Sequence, residues 1–227
     1  MKVNAIIPAA GQGQRFGGAK QFLNLAGKPL LLHSLEVFEA SPRIEMICLV
    51  VPEGDLKRAN DLIRENGFRK ISKILPGGLE RQESVKIGFE ALSPSDLVIV
   101  HDAARPLVTP ELLTRLIKGA EEFGGCIVGT PTRDTMKRVN AGGIVQETVD
   151  RAGLWNIQTP QAFRYDLLKR AFEAAVRENF VGTDEAMLVE RLGVKVKVID
   201  GGGVNLKITT PEDLQIAEAL IKMGGTK

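Results

Sequence analysis

Short apolar runs alternate with amphipathic stretches along most of the chain. The apolar runs predict strands at residues 3–7, 46–51, 70–75, 97–100, 126–130 and 194–199. Apolar residues at helical spacing predict helices at 55–65 and 165–178, and others that begin near Pro29, Thr109, Thr183 and Thr210. The three threonines are the expected N-caps of their helices. Strands that alternate with helices are typical of βαβ units, whose strands run parallel. The pattern therefore predicts an α/β protein with a mostly parallel sheet, with the wholly apolar run 97–100 near its centre.

One segment, at about 133–153, does not follow this alternation. Residues 135–139 and 144–149 flank Asn140-Ala141-Gly142-Gly143, and two extended runs around a glycine-rich turn predict a β-hairpin. A two-stranded hairpin is marginal alone in water, so we expect this arm to rest on a second copy of the chain or, alternatively, on its own domain. The predicted fold is a single three-layer α/β/α domain over residues 1–227, with a Rossmann-like sheet and a protruding β-hairpin arm.

Composition narrows the classes of function. A chain of 227 residues suits one α/β domain, and a net charge of +2 gives no reason to expect a nucleic-acid or membrane partner. We find neither a secretory signal pattern nor an apolar run near the roughly 20 residues of a membrane span. Cys48 and Cys126 lie inside apolar runs, which predicts buried free thiols and a cytoplasmic location. Trp155, the only tryptophan, is expected in the core.

The clearest chemical signal follows the first strand. Pro8 is followed by small residues and by two basic side chains, Arg15 and Lys20. Small residues let a ligand approach the backbone, whose amide groups can hold an anion, and both basic side chains suit phosphate oxygens. The loop therefore predicts nucleoside triphosphate binding; a solvated glycine turn with incidental charges is the alternative. The small residues assigned to the ligand are Ala9, Ala10, Gly11 and Gly13.

Two other glycine-rich loops are excluded by single residues. The dinucleotide fingerprint Gly-x-Gly-x-x-Gly fails because Phe16 occupies its third glycine position. The P-loop fails because Ala19 precedes Lys20 and Gln21 follows it, which leaves no hydroxyl for a magnesium ion.

Two later segments add candidate ligand groups. Gly77 and Gly78 form a predicted turn before a helix that carries Arg81 and Ser84, and a glycine amide with a serine hydroxyl could recognise the edge of a pyrimidine. A plain turn before a solvated helix is the alternative. The strand 97–100 runs into His101-Asp102-Ala103-Ala104-Arg105. Because ligands of open α/β sheets bind beyond the carboxyl ends of strands, Asp102 and the opening loop are expected at one site.

These segments together resemble a known family. Pro8-Ala9-Ala10-Gly11-x-Gly13-x-Arg15-Phe16 with Lys20-Gln21-Phe22 resembles the signature loop of sugar-phosphate nucleotidyltransferases, most closely of the 2-C-methyl-D-erythritol 4-phosphate cytidylyltransferase family. Three further motifs are similar to that family over nearly the whole chain: Gly-Gly-x-x-Arg-x-x-Ser-Val, His-Asp-Ala-Ala-Arg and Asp-Arg-x-x-Leu-Trp-x-x-Gln-Thr-Pro-Gln.

The resemblance implies a reaction and a set of residues. CMP would pass from CTP to 2-C-methyl-D-erythritol 4-phosphate with Mg²⁺ present, giving 4-diphosphocytidyl-2-C-methyl-D-erythritol and pyrophosphate, in a homodimer that exchanges its arms. The implied catalytic residues are Arg15, Lys20, Arg151 and Lys207. The implied substrate-binding residues are Ala9, Ala10, Gly11, Gly13, Gly78, Ser84, Asp102, Ala103, Arg105, Thr135 and Thr183. Of these, Arg105, Thr135 and Thr183 would assist Arg151 and Lys207 at the acceptor phosphate. Val204 stands where relatives often carry a polar or acidic residue, so the chain departs from the family pattern at this turn.

Several alternatives stay open at this stage. The acceptor could be a pentitol phosphate such as ribitol 5-phosphate, because a few hydroxyls separate the two and motifs barely encode them. The nucleotide could be UTP or GTP, because the opening loop is shared among nucleotidyltransferases. A non-catalytic nucleotide-binding regulator is a third possibility, although the pair Arg15 and Lys20 exceeds what binding alone requires.

Overall fold

The computed structural model describes residues 1–11 and 18–224. Within these residues there are eleven strands: β1 (Val3–Pro8), β2 (Asn24–Leu25), β3 (Lys28–Pro29), β4 (Ile44–Val51), β5 (Ile71–Pro76), β6 (Leu97–Val100), β7 (Gly125–Pro131), β8 (Met136–Val139), β9 (Val145–Val149), β10 (Trp155–Arg164) and β11 (Lys197–Asp200). The same residues form seven α-helices: α1 (Leu30–Ala40), α2 (Leu56–Glu65), α3 (Arg81–Ala91), α4 (Pro110–Phe123), α5 (Tyr165–Arg177), α6 (Glu185–Glu190) and α7 (Pro211–Lys222).

The described strands form one seven-stranded sheet in the order β11-β7-β10-β6-β1-β4-β5, and two separate hairpins, β2-β3 and β8-β9. In the large sheet β10 runs antiparallel to β6 and β7, and the other pairs are parallel. The mostly parallel sheet predicted from the sequence is confirmed. β6 is the central strand, as the wholly apolar run 97–100 predicted, and all four of its residues are buried.

Two apolar layers cover the faces of this sheet. On one face, α1, α2 and α4 pack against alternate strand residues such as Val3, Ala5 and Ile7. On the other face, α3, α5 and α6 pack against the residues between them, such as Ile6. Successive strand side chains point to opposite faces, so a strand buried on both sides must be apolar throughout. The predicted three-layer α/β/α architecture is therefore confirmed.

Several element boundaries differ from the prediction. Pro29 precedes α1 instead of occupying its first turn, because it pairs with Asn24 in the β2-β3 hairpin. Asp184, not Thr183, caps α6: its carboxylate accepts a hydrogen bond from the Met187 amide. The strand expected at 194–199 begins only at Lys197. The caps predicted for α4 and α7 are confirmed, with Thr109 and Thr210 accepting from the backbone of the first turn.

The predicted hairpin arm is present. β8 and β9 pair antiparallel from Met136 and Val149 toward the turn at 140–144. Apolar side chains on and beside the arm stay exposed in the single chain: Met136, Val139, Ile144, Val145, Leu154, Trp155 and Ile157. Trp155 is 37% exposed, so its placement in the core was wrong for the single chain.

The thiol prediction is confirmed: Cys48 and Cys126 are buried and free. In the part of the chain that the structure describes, no helix is both long and apolar enough to span a membrane.

Candidate active site

A cavity of about 250 Å³ opens at one edge of the large sheet. It lies where β1, β5 and β6 end, because parallel strands bring their carboxyl ends to the same edge. We call it the strand-end cavity. Its described lining residues are Pro8, Ala9, Ala10, Gly11, Lys20, Gln21, Leu30, Gly78, Leu79, Glu80, Arg81, Ser84, Asp102, Ala103, Ala104 and Lys207.

The opening loop supplies one wall of this cavity. Ala9 donates its backbone N–H to the carbonyl of Val50 over 2.7 Å, so the contact between this chain segment and β4 continues one residue beyond Pro8. Ala9, Ala10 and Gly11 then face the cavity, as predicted. The predicted site residues Gly13 and Arg15 lie outside the described residues.

Lys20 stands at the same wall, in a short 3-10 helix formed by Lys20–Phe22. The buried ring of Phe22 anchors this turn, and the guanidinium of Arg58 lies 4.2 Å from its centre. Lys20 Nζ donates to the carbonyl oxygen of Ile208 over 2.9 Å. A hydrogen-bonded cation is therefore held at the cavity on the side of the opening loop.

The glycine turn after β5 supplies the facing wall. The Gly78 N–H donates to Ser84 Oγ over 3.1 Å, and Ser84 Oγ donates to the Glu80 carbonyl over 3.2 Å. A side chain at Gly77 would collide with Ala10 Cβ and lie 2.8 Å from Ser84 Oγ. Glycine at position 77 therefore lets the two walls approach each other closely, and the predicted pair Gly78 and Ser84 lies at the cavity.

Asp102 lies at the end of β6 and joins two cations across the cavity. Its Oδ1 accepts from Arg81 Nε over 2.9 Å and its Oδ2 accepts from Lys207 Nζ over 2.7 Å. Burial alone would raise the pKa of Asp102, but the Arg81 guanidinium and the Lys207 ammonium outweigh it and hold that pKa well below its usual range. Asp102 is therefore a fixed anion that orients both cations.

Arg81 in turn is bound by a second carboxylate. Its Nη1 and Nη2 donate to the two carboxylate oxygens of Glu185 over 2.8 and 3.0 Å. Burial would lower the pKa of Arg81, but the carboxylates of Glu185 and Asp102 raise it. The sequence pattern placed Arg81 beside Ser84 but not among the site residues, and it gave no signal for Glu185 beyond a helix start.

A polar cluster under the cavity holds the backbone that carries Asp102 and Lys207. Arg105 Nη1 donates to the Asn205 carbonyl over 2.8 Å, and the Asn205 side-chain amide donates to the Thr159 carbonyl over 2.9 Å. Thr159 Oγ1 accepts the Asp102 N–H over 3.0 Å. Arg105 is buried and does not line the cavity among the described residues, so its guanidinium positions the segment beside Lys207.

Three predicted acceptor contacts lie away from the cavity in the single chain. Thr135 and Arg151 are exposed at the arm, where Arg151 donates to the Arg133 carbonyl. Thr183 is exposed and contacts Met187 Sδ at 3.7 Å. None of these three is among the described residues that line the strand-end cavity. Ala103 does line it, as predicted.

The donor set of the cavity suits a magnesium ion that is held mainly by phosphate oxygens. Asp102 and Glu80 are the carboxylates among the described lining residues, and no described group of three or more His, Cys, Asp or Glu residues could hold a metal ion. Mg²⁺ commonly uses one or two carboxylates together with substrate phosphates and water. The residues present fit that arrangement, with Asp102 as the anchored carboxylate.

Comparisons with known proteins agree with this geometry. The family described as 2-C-methyl-D-erythritol 4-phosphate cytidylyltransferase (IspD) matches residues 3–223. A protein of that name from Geobacter metallireducens is 45% identical over 229 residues, which cover 98% of each chain. Another from Alkaliphilus metalliredigens is 46% identical, over 97% of this chain and 93% of the other.

A solved structure gives the same result. The 4-diphosphocytidyl-2C-methyl-D-erythritol synthase of Anaerococcus prevotii superposes with a TM-score of 0.85 at 32% identity, over 97% of this chain and 96% of that one. The resemblance first visible in the motifs therefore extends to the whole fold, and the chain belongs to the 2-C-methyl-D-erythritol 4-phosphate cytidylyltransferase family.

Proposed function

We propose that this chain transfers CMP from CTP to 2-C-methyl-D-erythritol 4-phosphate, releasing pyrophosphate. One observation carries the assignment of roles. Two lysines from distant parts of the chain, Lys20 and Lys207, meet in one cavity whose opposite wall presents Gly78 and Ser84. The cavity thus combines a site for a base edge with separate cations for two phosphate-bearing substrates.

The nucleotide lies along the opening loop. Ala9, Ala10 and Gly11 leave room for the base and ribose beside the backbone, and Gly78 with Ser84 offers an amide and a hydroxyl to the pyrimidine edge. The Gly78 amide donates to the Ser84 hydroxyl in the single chain. A bound cytosine would replace this hydrogen bond with hydrogen bonds to its own polar edge. Asp102 and Ala103 border the same cavity, and we assign them to the nucleotide.

The reaction is an in-line displacement at the α-phosphorus. An oxygen of the acceptor phosphate forms the new bond to phosphorus while the bond to the bridging oxygen of pyrophosphate breaks. A phosphate monoester has its second pKa near 6, so the nucleophile is already ionised at neutral pH and needs no general base. The task of the protein is to hold polyanions together and to stabilise the charge that grows on the phosphoryl and leaving oxygens.

The cations divide this task. Lys20, together with Arg15, binds the triphosphate and the leaving pyrophosphate. Lys207, held by Asp102 at 2.7 Å, binds the acceptor phosphate. Asp102 is the residue that would help substrate phosphates to hold a magnesium ion, which would supply further positive charge. Arg105 acts through the backbone at Asn205, because its guanidinium donates to that carbonyl.

The arm completes the acceptor site across a homodimer. Thr135 and Arg151 are exposed at the arm, and its apolar side chains, such as Val139 and Val145, lack cover in the single chain. Exposed apolar surface of this kind favours association with another copy. We place Thr135 and Arg151 of one chain, with Thr183 of the other, around the acceptor phosphate.

Domain organisation and location complete the proposal. The chain acts as one nucleotidyltransferase domain over residues 1–227, with its arm at about 133–153. Its location is the cytoplasm, which suits two buried free thiols.

The test measures pyrophosphate release from CTP and Mg²⁺ with 2-C-methyl-D-erythritol 4-phosphate, beside parallel mixtures with ribitol 5-phosphate and with UTP. We expect turnover in the first mixture alone. Turnover with another acceptor or nucleotide would keep the mechanism and overturn the substrate assignment. A folded protein that binds CTP but stays inactive in every mixture would overturn the proposed function in favour of a nucleotide-binding regulator.

A further inference from the structure

Glu185 is a buried carboxylate with no place in the mechanism above. It begins α6, only 1% of its surface is exposed, and both of its oxygens accept hydrogen bonds from Arg81. A carboxylate taken out of water needs strong partners, and a bidentate guanidinium is the strongest that a side chain offers. Glu185 therefore accepts hydrogen bonds from both terminal nitrogens of Arg81.

The pairing of Arg81 with Glu185 determines which nitrogen of Arg81 contacts Asp102. With Nη1 and Nη2 bound to Glu185, Arg81 reaches Asp102 through Nε alone, at 2.9 Å from Oδ1. The second oxygen of Asp102 accepts from Lys207 at 2.7 Å. The four side chains form one continuous series, Glu185–Arg81–Asp102–Lys207, in which two negative charges balance two positive charges.

We propose that Glu185 is a positioning residue for Lys207: by holding the fork of Arg81, it leaves one oxygen of Asp102 for the lysine. An arginine fork that is free to turn would bind Asp102 through two nitrogens, since parallel bonds to a carboxylate are its preferred geometry. Lys207 would then lose its carboxylate partner and its fixed direction toward the cavity. The inference rests on the proposed function only in naming the acceptor phosphate as the ligand of Lys207.

A purely structural role predicts something different. Glu185 also joins α6 to α3, so its loss could merely loosen the contact between these helices. That loosening would lower stability without distinguishing one substrate from the other. A positioning role predicts a selective effect at Lys207 and at the acceptor.

The principal variant is Glu185→Gln, which keeps the shape and removes the charge. Its matched control is Glu178→Gln, in which the carboxylate of an exposed pair with Arg191, 2.6 Å apart, is changed in the same way. Glu185→Asp keeps the charge on a shorter side chain and should show an intermediate effect. Circular dichroism and thermal unfolding identify which variants are folded.

The first readout is kinetic. In Glu185→Gln we expect the KM for the acceptor phosphate to rise about tenfold, the effect of one lost charge-assisted hydrogen bond. The KM for CTP should stay within about twofold, because the nucleotide contacts are not altered. Combining Glu185→Gln with Lys207→Ala should add little to the loss caused by Lys207→Ala alone, since both changes act through the same lysine.

The second readout does not depend on turnover. Brief acetylation followed by peptide mass spectrometry compares the labelling rate of Lys207 with that of Lys86. Lys86 forms a surface ion pair with Glu90, with its Nζ 2.6 Å from the carboxylate. Lys207 should be labelled about tenfold faster in Glu185→Gln than in the unmodified chain, because it has lost a charge-assisted bond of that strength. Glu178→Gln should leave the ratio unchanged.

Each outcome decides the inference. An unchanged labelling ratio in a folded Glu185→Gln chain overturns it, as does an equal rise in both KM values. If Glu185→Gln does not fold, Glu185→Asp is held to the same two criteria, with a smaller expected change. Should the unmodified chain release no pyrophosphate with any acceptor, the proposed function fails, while the labelling ratio still tests whether Glu185 controls Lys207.

Discussion

A fall in pH from 7 to 5 should weaken this fold mainly through one side chain, His101. His101 immediately precedes Asp102 in the sequence, and its imidazole is fully buried. Its Nε2 lies 3.1 Å from the Arg105 carbonyl, which can only accept a hydrogen bond, so Nε2 carries the proton. Its Nδ1 lies 3.3 Å from Thr159 Oγ1, and the threonine hydroxyl donates to it. The site is therefore built for a neutral ring.

The magnitude follows from proton linkage. Burial lowers the pKa of His101 from 6.5 to about 4, and the nearby Asp102 carboxylate only partly opposes it. Between these values the unfolded chain binds a proton that the folded chain does not, so stability is lost as the pH falls through this window. At 1.36 kcal/mol for each unit of pKa difference, the whole window is worth about 3 kcal/mol. The part between pH 7 and pH 5 is about 2 kcal/mol.

The assay is urea unfolding at pH 7 and pH 5, at one protein concentration, for the unmodified chain and for His101→Gln. The free energy of unfolding of the unmodified chain should fall, and the fall should be about 2 kcal/mol smaller in His101→Gln. Any constant cost of the substitution cancels, because only the difference between the two pH values is compared. His33→Gln is the comparison: burial also lowers the pKa of His33, but this side chain is only half-buried, so His33→Gln should reduce the fall by less than His101→Gln does.

Two results would refute this reasoning. One is an equal loss of stability between pH 7 and pH 5 in the unmodified chain and in His101→Gln. The other is an NMR titration in which the ring of His101 protonates near 6.5 in the folded state. The chain has only two histidines, so the His33→Gln variant assigns the two resonances directly.

Further predictions concern catalysis, packing and capping. Lys20→Ala should lower kcat by about 10²- to 10³-fold with an unchanged circular dichroism spectrum; near-normal turnover would remove Lys20 from the mechanism. Mixing Lys20→Ala chains with Arg151→Ala chains should restore activity if partner arms complete the sites, whereas demonstrated heterodimers without recovery would contradict shared sites. Gly88→Ala should cost about 1–3 kcal/mol in urea unfolding, because its Cβ would lie 2.7 Å from a buried isoleucine methyl; Gly54→Ala, with open space around it, should cost far less. Thr210→Ala should cost about 1 kcal/mol, because it removes the cap of α7, and an unchanged unfolding midpoint would contradict that role.

In the large sheet, the sequence predicted the strands that are apolar on both faces and missed one strand that is not. β1 and β6 were visible as apolar runs because parallel central strands are buried on both sides. β10 was not predicted: Pro160 interrupts it, and its pairing with β7 shifts register between Gln158 and Gln161. Its antiparallel direction depends on long-range pairing with β6 and β7, which no local pattern encodes.

For the site, the sequence predicted which segments come together but not the side chains that they contact. The meeting of the opening loop with Asp102 followed from the rule that carboxyl ends of parallel strands share one edge, and both line the cavity. The partners of these residues did not follow. Arg81 and Glu185 are separated by 104 positions, so neither the ion pair nor its burial could be inferred from spacing. Arg105 was expected at the acceptor phosphate, but its guanidinium is buried against the Asn205 carbonyl, a direction that depends on tertiary packing.

The segment around Asn205 links the two lysines, from opposite ends of the chain, that we propose to serve one reaction. Lys207 belongs to this segment, and Lys20 donates to the carbonyl of its neighbour Ile208 over 2.9 Å. The segment is fixed in turn to the loop after β6, because Ile208 donates its N–H to the Ala104 carbonyl over 2.8 Å and Arg105 holds Asn205. The two cations are therefore linked through this segment, because Lys207 belongs to it and the Lys20 side chain is bound to its backbone. Charged groups that are held in place before the substrates arrive need little reorganisation as the transition state forms, which is the condition under which electrostatic stabilisation is most effective.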